Sequence, residues 1–152
     1  SMPQSLSDVN LHLIFSTKDR YPFLDHEVRD SMHRYLATLC RDLGSTCWKV
    51  GGVSDHVHIV TSLPRTLSQS QLLEDIKKKS SKWIKEINAA QYGKFAWQAG
   101  YGAFSVSRSN LDKVVSYVAN QESHHEQLSF QDEYRAFLTK HYVEYDERYV
   151  WD

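Results

Sequence analysis

Long apolar runs are missing from this chain. No segment approaches the roughly 20 apolar residues of a membrane-spanning helix, so no membrane span is expected. The start carries no pattern of a secretory signal, and a cytoplasmic protein is expected. Cysteine is scarce: Cys40 and Cys47 are the only two. Their spacing fits neither a disulfide framework nor a zinc knuckle, and they read as reduced thiols. No glycine-rich phosphate loop is present, which argues against a nucleotide-dependent enzyme. Internal repeats and low-complexity linkers are absent as well. The net charge is only −1, which by itself argues against a general nucleic-acid binder.

What is present is enough apolar residue for a real core. The chain has 152 residues, of which 41% are hydrophobic, and this suits one compact domain over 1–152. Ser1 ahead of Met2 reads as a remnant of cloning, and about 126–152 reads as a C-terminal extension. The near-neutral total hides an uneven distribution. Residues 65–94 carry seven Lys and Arg against three acids, whereas 122–152 carry three against eight. Within the basic stretch, Lys78, Lys82 and Lys85 fall at i, i+4 and i+7, on one helix face. Such a run is usually a solvated face, but a local basic stripe is also what a phosphate backbone needs.

Periodicity gives the elements. Val9 to Ser16 reads as a strand. Asp25 can cap a helix whose stripe Val28, Met32, Tyr35, Leu36, Leu39 and Leu43 follows the 3.6-residue period, with Gly44 as its stop. Thr46 to Val53 and His56 to Ser62 read as a strand pair with a short break. A long helix runs from about Ser68 to Asn88, and Gly102 to Ser107 reads as another strand. Asn110 can cap a helix with the stripe Leu111, Val114, Val115 and Val118. After about His125 the chain is polar, with a short helix near Asp132 to His141 and a tail rich in Tyr. The order β-α-β-β-α-β-α predicts an α+β fold of the split βαβ, ferredoxin-like kind: an antiparallel sheet with helices packed on one face.

Two short motifs carry chemistry. Alternation along a strand turns His56 and His58 to one side and Val57 and Ile59 to the other. Isolated, such a pair is most often two solvent-facing or hydrogen-bonded strand histidines. The spacing also suits two imidazoles on one divalent metal, Mg or Mn, with imidazole favouring the borderline ions. Tyr117 and Gln121 lie one helical turn apart, so a phenol and an amide oxygen share a face. A phenol is only about 0.1% ionised at neutral pH, and a nearby metal can offset this by drawing charge from a phosphate under attack. His124 and His125 could add a ligand or a proton shuttle. As helix neighbours they point apart, so one of them is expected to face the site.

These stretches resemble a known family. His12-Leu13-Ile14-Phe15-Ser16-Thr17-Lys18, Asp55-His56-Val57-His58-Ile59, Trp97-Gln98, Gly100 to Ser107, Tyr117-Val118-Ala119-Asn120-Gln121 and Tyr145 to Tyr149 are similar, in order, to the single-tyrosine HUH transposases of small bacterial and archaeal insertion sequences. Relatives of that group include the REP-associated tyrosine transposases. The resemblance implies an HUH endonuclease fold in which His56, His58 and Gln121 hold the metal and Tyr117 is the nucleophile. It implies cleavage and rejoining of single-stranded DNA beside hairpins, through a 5′-phosphotyrosine, with a free 3′-OH left behind. It also implies a homodimer whose tyrosine helices complete each other's sites in trans. Two other readings stay open: a domesticated hairpin-binding protein that no longer transposes, and a His-x-His metal-dependent hydrolase that does not use Tyr117.

Overall fold

The computed structural model describes residues 3–125 and 128–152, and at His124 the backbone alone. Ser1, the expected cloning remnant, lies outside the described residues, as do Glu126 and Gln127 at the start of the expected extension. The chain runs β1 (Asn10–Ser16), α1 (His26–Asp42), β2 (Cys47–Gly52), β3 (His56–Ser62), α2 (Gln69–Ile87), α3 (Ala89–Tyr92), β4 (Gly102–Val106), α4 (Leu111–Ala119), α5 (Gln121–His125) and α6 (Phe130–Lys140). Asp25 caps α1 by accepting from the Val28 N–H at 3.1 Å, and Ser68 with Gln71 forms a capping box on α2. Asn110 precedes α4 but its side chain makes no capping bond, contrary to the sequence reading.

The four strands form one sheet in the order β2-β3-β1-β4, antiparallel at every junction. The crossover through α1 therefore joins β1 to β2 with β3 between them. The crossover through α2 joins β3 to β4 with β1 between them. This is the expected split βαβ arrangement.

The sheet differs from expectation in being covered on both faces. Leu11, Leu13 and Phe15 of β1 pack with Val57 and Ile59 against α1 and α2, through Met32, Leu36, Leu72 and Ile76. On the other face, Ile14 and Phe104 meet Phe130, Tyr134 and Leu138 of α6, while Val60 and Val106 meet Leu111 and Val118 of α4. The reason is legible in β1, whose seven residues are all buried. Leu11, Leu13 and Phe15 are buried on one side, and Asn10, His12, Ile14 and Ser16 on the other, so water reaches neither. The C-terminal segment, read as a polar tail, supplies that second cover together with α4.

Candidate functional site

The site sits between the second sheet face and helices α4 to α6. In β3, alternation sends Val57 and Ile59 into the α1–α2 core and turns His56 and His58 toward α4–α6, both with no exposed surface. Register places Gly51 of β2 opposite His58. A Cβ at Gly51 would lie 2.3 Å from the Val118 carbonyl oxygen and 3.0 Å from Val118 Cγ1. Only a residue without a side chain lets α4 come this close to the sheet, and Tyr117 is the residue before Val118.

Both imidazoles are held from behind. His56 Nδ1 lies 2.7 Å from Asp55 Oδ1, and His58 Nδ1 lies 2.7 Å from Nε2 of the buried His12. Their Nε2 atoms then point to a common place. His56 Nε2 is 3.2 Å from Gln121 Oε1 and 3.4 Å from Glu133 Oε1, and His58 Nε2 is 2.9 Å from that same Glu133 oxygen. His125 Nε2 is 3.0 Å from it as well. Gln121 donates through Nε2 to Glu133 Oε2 at 3.1 Å, and the Tyr117 hydroxyl donates to the same oxygen.

Burial and charge compete here. Burial works against a protonated His56, but Asp55 and Glu133 outweigh it and hold the ring above its ordinary 6.5. Burial wins at His58, which falls to about 4 despite Glu133. Burial, then the neighbouring His58, push His12 well below 6.5, so it is neutral. Burial would raise Glu133, yet hydrogen bonds from His125, His56 and His58 hold it well below the carboxylate range. Burial first, and Glu133 second, raise the Tyr117 phenol above 10. As arranged, the phenol is a poor nucleophile until positive charge is brought beside it.

The residues fit a divalent cation. Ligand atoms of His56, His58, His125 and Glu133 all lie within 4.8 Å of one another, and the amide oxygen of Gln121 stands beside them. Imidazoles with one carboxylate suit Mn, Co or Zn, and also accept Mg. A groove of about 490 Å³ opens onto the Tyr117 and Glu133 side of this cluster, flanked by Lys113 and Val114 of α4 and by Phe137 and Lys140 of α6.

The structure thus brings together His56, His58, Tyr117 and Gln121. Tyr117 and Gln121 do not share a helix, however. The helix ends at Ala119, Asn120 leaves helical geometry (φ −104°, ψ 25°), and Gln121 opens α5. Lys78, Lys82 and Lys85 lie elsewhere, on α2, across the sheet from the histidines. His125 is a histidine that faces the cluster; the side chain of His124 lies outside the described residues. The sequence reading missed Glu133. Its signal was a carboxylate within the stripe Phe130, Tyr134, Phe137 and Leu138, where an amphipathic helix turns inward. It is 1% exposed. Within one chain Tyr117 stands beside its own His58, ring centroids 6.0 Å apart.

Comparison with known proteins agrees with this fold. The family model described as "Transposase IS200 like" matches residues 5–121, a span that holds His56, His58, Tyr117 and Gln121 but stops short of Glu133. A candidate transposase from Deinococcus radiodurans R1 superposes with a TM-score of 0.62 at 20% identity, over 80% of this chain and 97% of that one. A REP-associated tyrosine transposase bound to a REP hairpin gives 0.58 at 14% identity, over 84% and 76%. No curated protein matches.

Proposed function

The chain belongs to the IS200-like transposase family, and on that premise we propose that it cuts and rejoins single-stranded DNA beside hairpins, with Tyr117 as nucleophile. The observation that carries this reading is convergence: the Tyr117 hydroxyl and the Nε2 atoms of His56 and His58 all meet around the one carboxylate of Glu133. His56, His58 and Gln121 would hold a divalent ion, Mg or Mn, with Glu133 and His125 in reach as further ligands. When bound, that ion supplies positive charge to the scissile phosphate and to the phenol.

The chain's own groups account for the rest. The Tyr117 hydroxyl, oriented by the Glu133 carboxylate but facing too weak a base to leave its proton there, loses that proton to water. Its oxygen then bonds to phosphorus, and the bond from phosphorus to the 3′ oxygen breaks. The departing 3′ oxygen takes a proton from water, and the 5′ phosphate stays on Tyr117. One phosphodiester replaces another, so a second 3′-OH can reverse the step and join strands without a nucleotide cofactor. Lys113 and Lys140 flank the groove over Tyr117 and suit a DNA backbone there. The hairpin-bound structure with the same fold supports a hairpin partner, and Lys78, Lys82 and Lys85 are proposed to contact the DNA farther from the cut.

Family resemblance implies trans sites in a homodimer. The closeness of Tyr117 to His58 within one chain supports a cis site instead. Mixing Tyr117→Phe with His56→Ala under proven subunit exchange separates them. A cis site predicts a mixture as inactive as its components; recovered cleavage would establish trans sites. A second reading, a metal-dependent hydrolase, draws support from the dense His56, His58, His125 and Glu133 cluster. It predicts cleavage that survives Tyr117→Phe. The transposase reading predicts that Tyr117→Phe and His56→Ala each abolish cleavage of a labelled hairpin strand.

A further inference from the structure

His12 lies on β1, 2% exposed, on the sheet face that carries the site. Its Nε2 is 2.7 Å from His58 Nδ1, and the two rings are stacked with centroids 5.0 Å apart and planes 30° apart. The Phe137 ring closes against its edge at 5.0 Å, so its plane is fixed by packing as well. His56 is backed in the same way by Asp55. Both rings are thus engaged at Nδ1 and turned with Nε2 toward Glu133.

We propose that His12 is a positioning residue: it holds the His58 ring by Nδ1 and leaves Nε2 for a divalent cation. The proposal rests on the reading of His58 as a metal ligand. Partners on the far nitrogen of a ligating histidine set its tautomer and ring plane. The choice of histidine at position 12 has a chemical reason. A neutral imidazole carries one donor and one acceptor. When His58 Nε2 carries a proton toward Glu133, its Nδ1 is an acceptor and His12 Nε2–H donates. When Nε2 gives its lone pair to a cation, the proton of His58 sits on Nδ1 and His12 Nε2 accepts. A carboxylate at position 12 could serve only the second state and an ammonium only the first. Asp55, an acceptor alone, suits His56, whose Nδ1–H donates to it.

The probe is zinc, which is diamagnetic and binds imidazole. Zinc affinity is measured by calorimetry, and the histidine ring nitrogens by nitrogen NMR, in wild type, His12→Leu and His12→Gln, with melting curves as the check on folding. His12→Leu should lower zinc affinity by about 10- to 100-fold and turn a single His58 tautomer into a mixture. His12→Gln, whose amide both donates and accepts, should stay within about threefold of wild type. A purely structural role would lower the melting temperature and leave tautomer and affinity alone. Unchanged zinc affinity and unchanged His58 signals in His12→Leu would overturn the proposal. Should His12→Leu fail to fold, wild type alone decides, since the short bond predicts a through-bond coupling between His12 Nε2 and His58 Nδ1; its absence overturns the proposal too. Should wild type take up no zinc, the metal reading fails separately, and the metal-free His58 tautomer still decides the role of His12.

Discussion

Gly51→Ala should slow DNA cleavage far more than it unfolds the protein. The added Cβ would sit 2.3 Å from the Val118 carbonyl oxygen, where ordinary contact begins near 3.4 Å. The obstacle is backbone, not the tip of a flexible side chain, so α4 must back away by about 1 Å. Overpacking of this kind costs about 1–3 kcal/mol, which a domain of this size can absorb. Tyr117 rides on the same turn as Val118. A misplacement of about 1 Å between a nucleophile and its target can cost on the order of 100-fold in rate. Single-turnover cleavage of a labelled hairpin strand, with melting curves alongside, reads both effects. A folded Gly51→Ala protein that cuts within about threefold of wild type would refute the claim that this glycine sets the position of Tyr117.

The other predictions concern charge. In metal-free protein, acid should destabilise the fold through His58: the unfolded ring takes up a proton near 6.5 and the folded one only near 4, so stability falls as pH falls through that window. The loss should be about 2 kcal/mol between about pH 7 and about pH 5, measured by urea unfolding. His33, also near 4 because of burial, acts in the same direction, whereas His56, raised, adds stability as pH falls through the range just above 6.5 and contributes no slope below it. A His58→Gln variant with an undiminished pH slope would contradict the assignment. Glu133→Gln keeps the shape but removes the charge that the surrounding donors share. It should cost about 3 kcal/mol of stability and abolish adduct formation; a variant as stable and active as wild type would count against Glu133 as the centre of the site. Changing Lys78, Lys82 and Lys85 together to Ala should weaken hairpin binding and reduce the log–log salt slope by roughly 0.7 to 0.9 per lost contact. Because these lysines lie across the sheet, the cleavage rate at saturating DNA should hold, and an unchanged salt slope would mark them as solvated only.

Much of this was legible because strand and helix periods are strong signals. His56 and His58 could be assigned to one face from alternation alone, and the α1 and α2 stripes follow the helical period closely. Tyr117 and Gln121 do not share the helix that the period predicts, since Asn120 breaks it between them; tertiary packing brings both side chains to Glu133. The covered second face was harder to see. Part of what buries it belongs to α6, where Phe130, Tyr134 and Leu138 are interspersed with acids that raise the local polarity. Glu133 was hidden for the same reason: in sequence it is one acid among many, and its role arises from donors that β3, α4 and α5 bring to it in the folded chain. In sequence His12 is one histidine among the Leu and Ile of a strand; only the register of β1 on β3 reveals what its ring touches.

Covalent attachment of DNA to Tyr117 is read by mass spectrometry. The protein is incubated with a hairpin-bearing single strand and Mn or Mg, then digested, and the peptide containing Tyr117 is weighed. The expected result is a nucleotide joined through its 5′ phosphate to the Tyr117 oxygen, a free 3′-OH on the other fragment, and no adduct in Tyr117→Phe. Cut strands with a free 5′ phosphate and an unmodified Tyr117 peptide would contradict it and leave a metal-dependent hydrolase in its place.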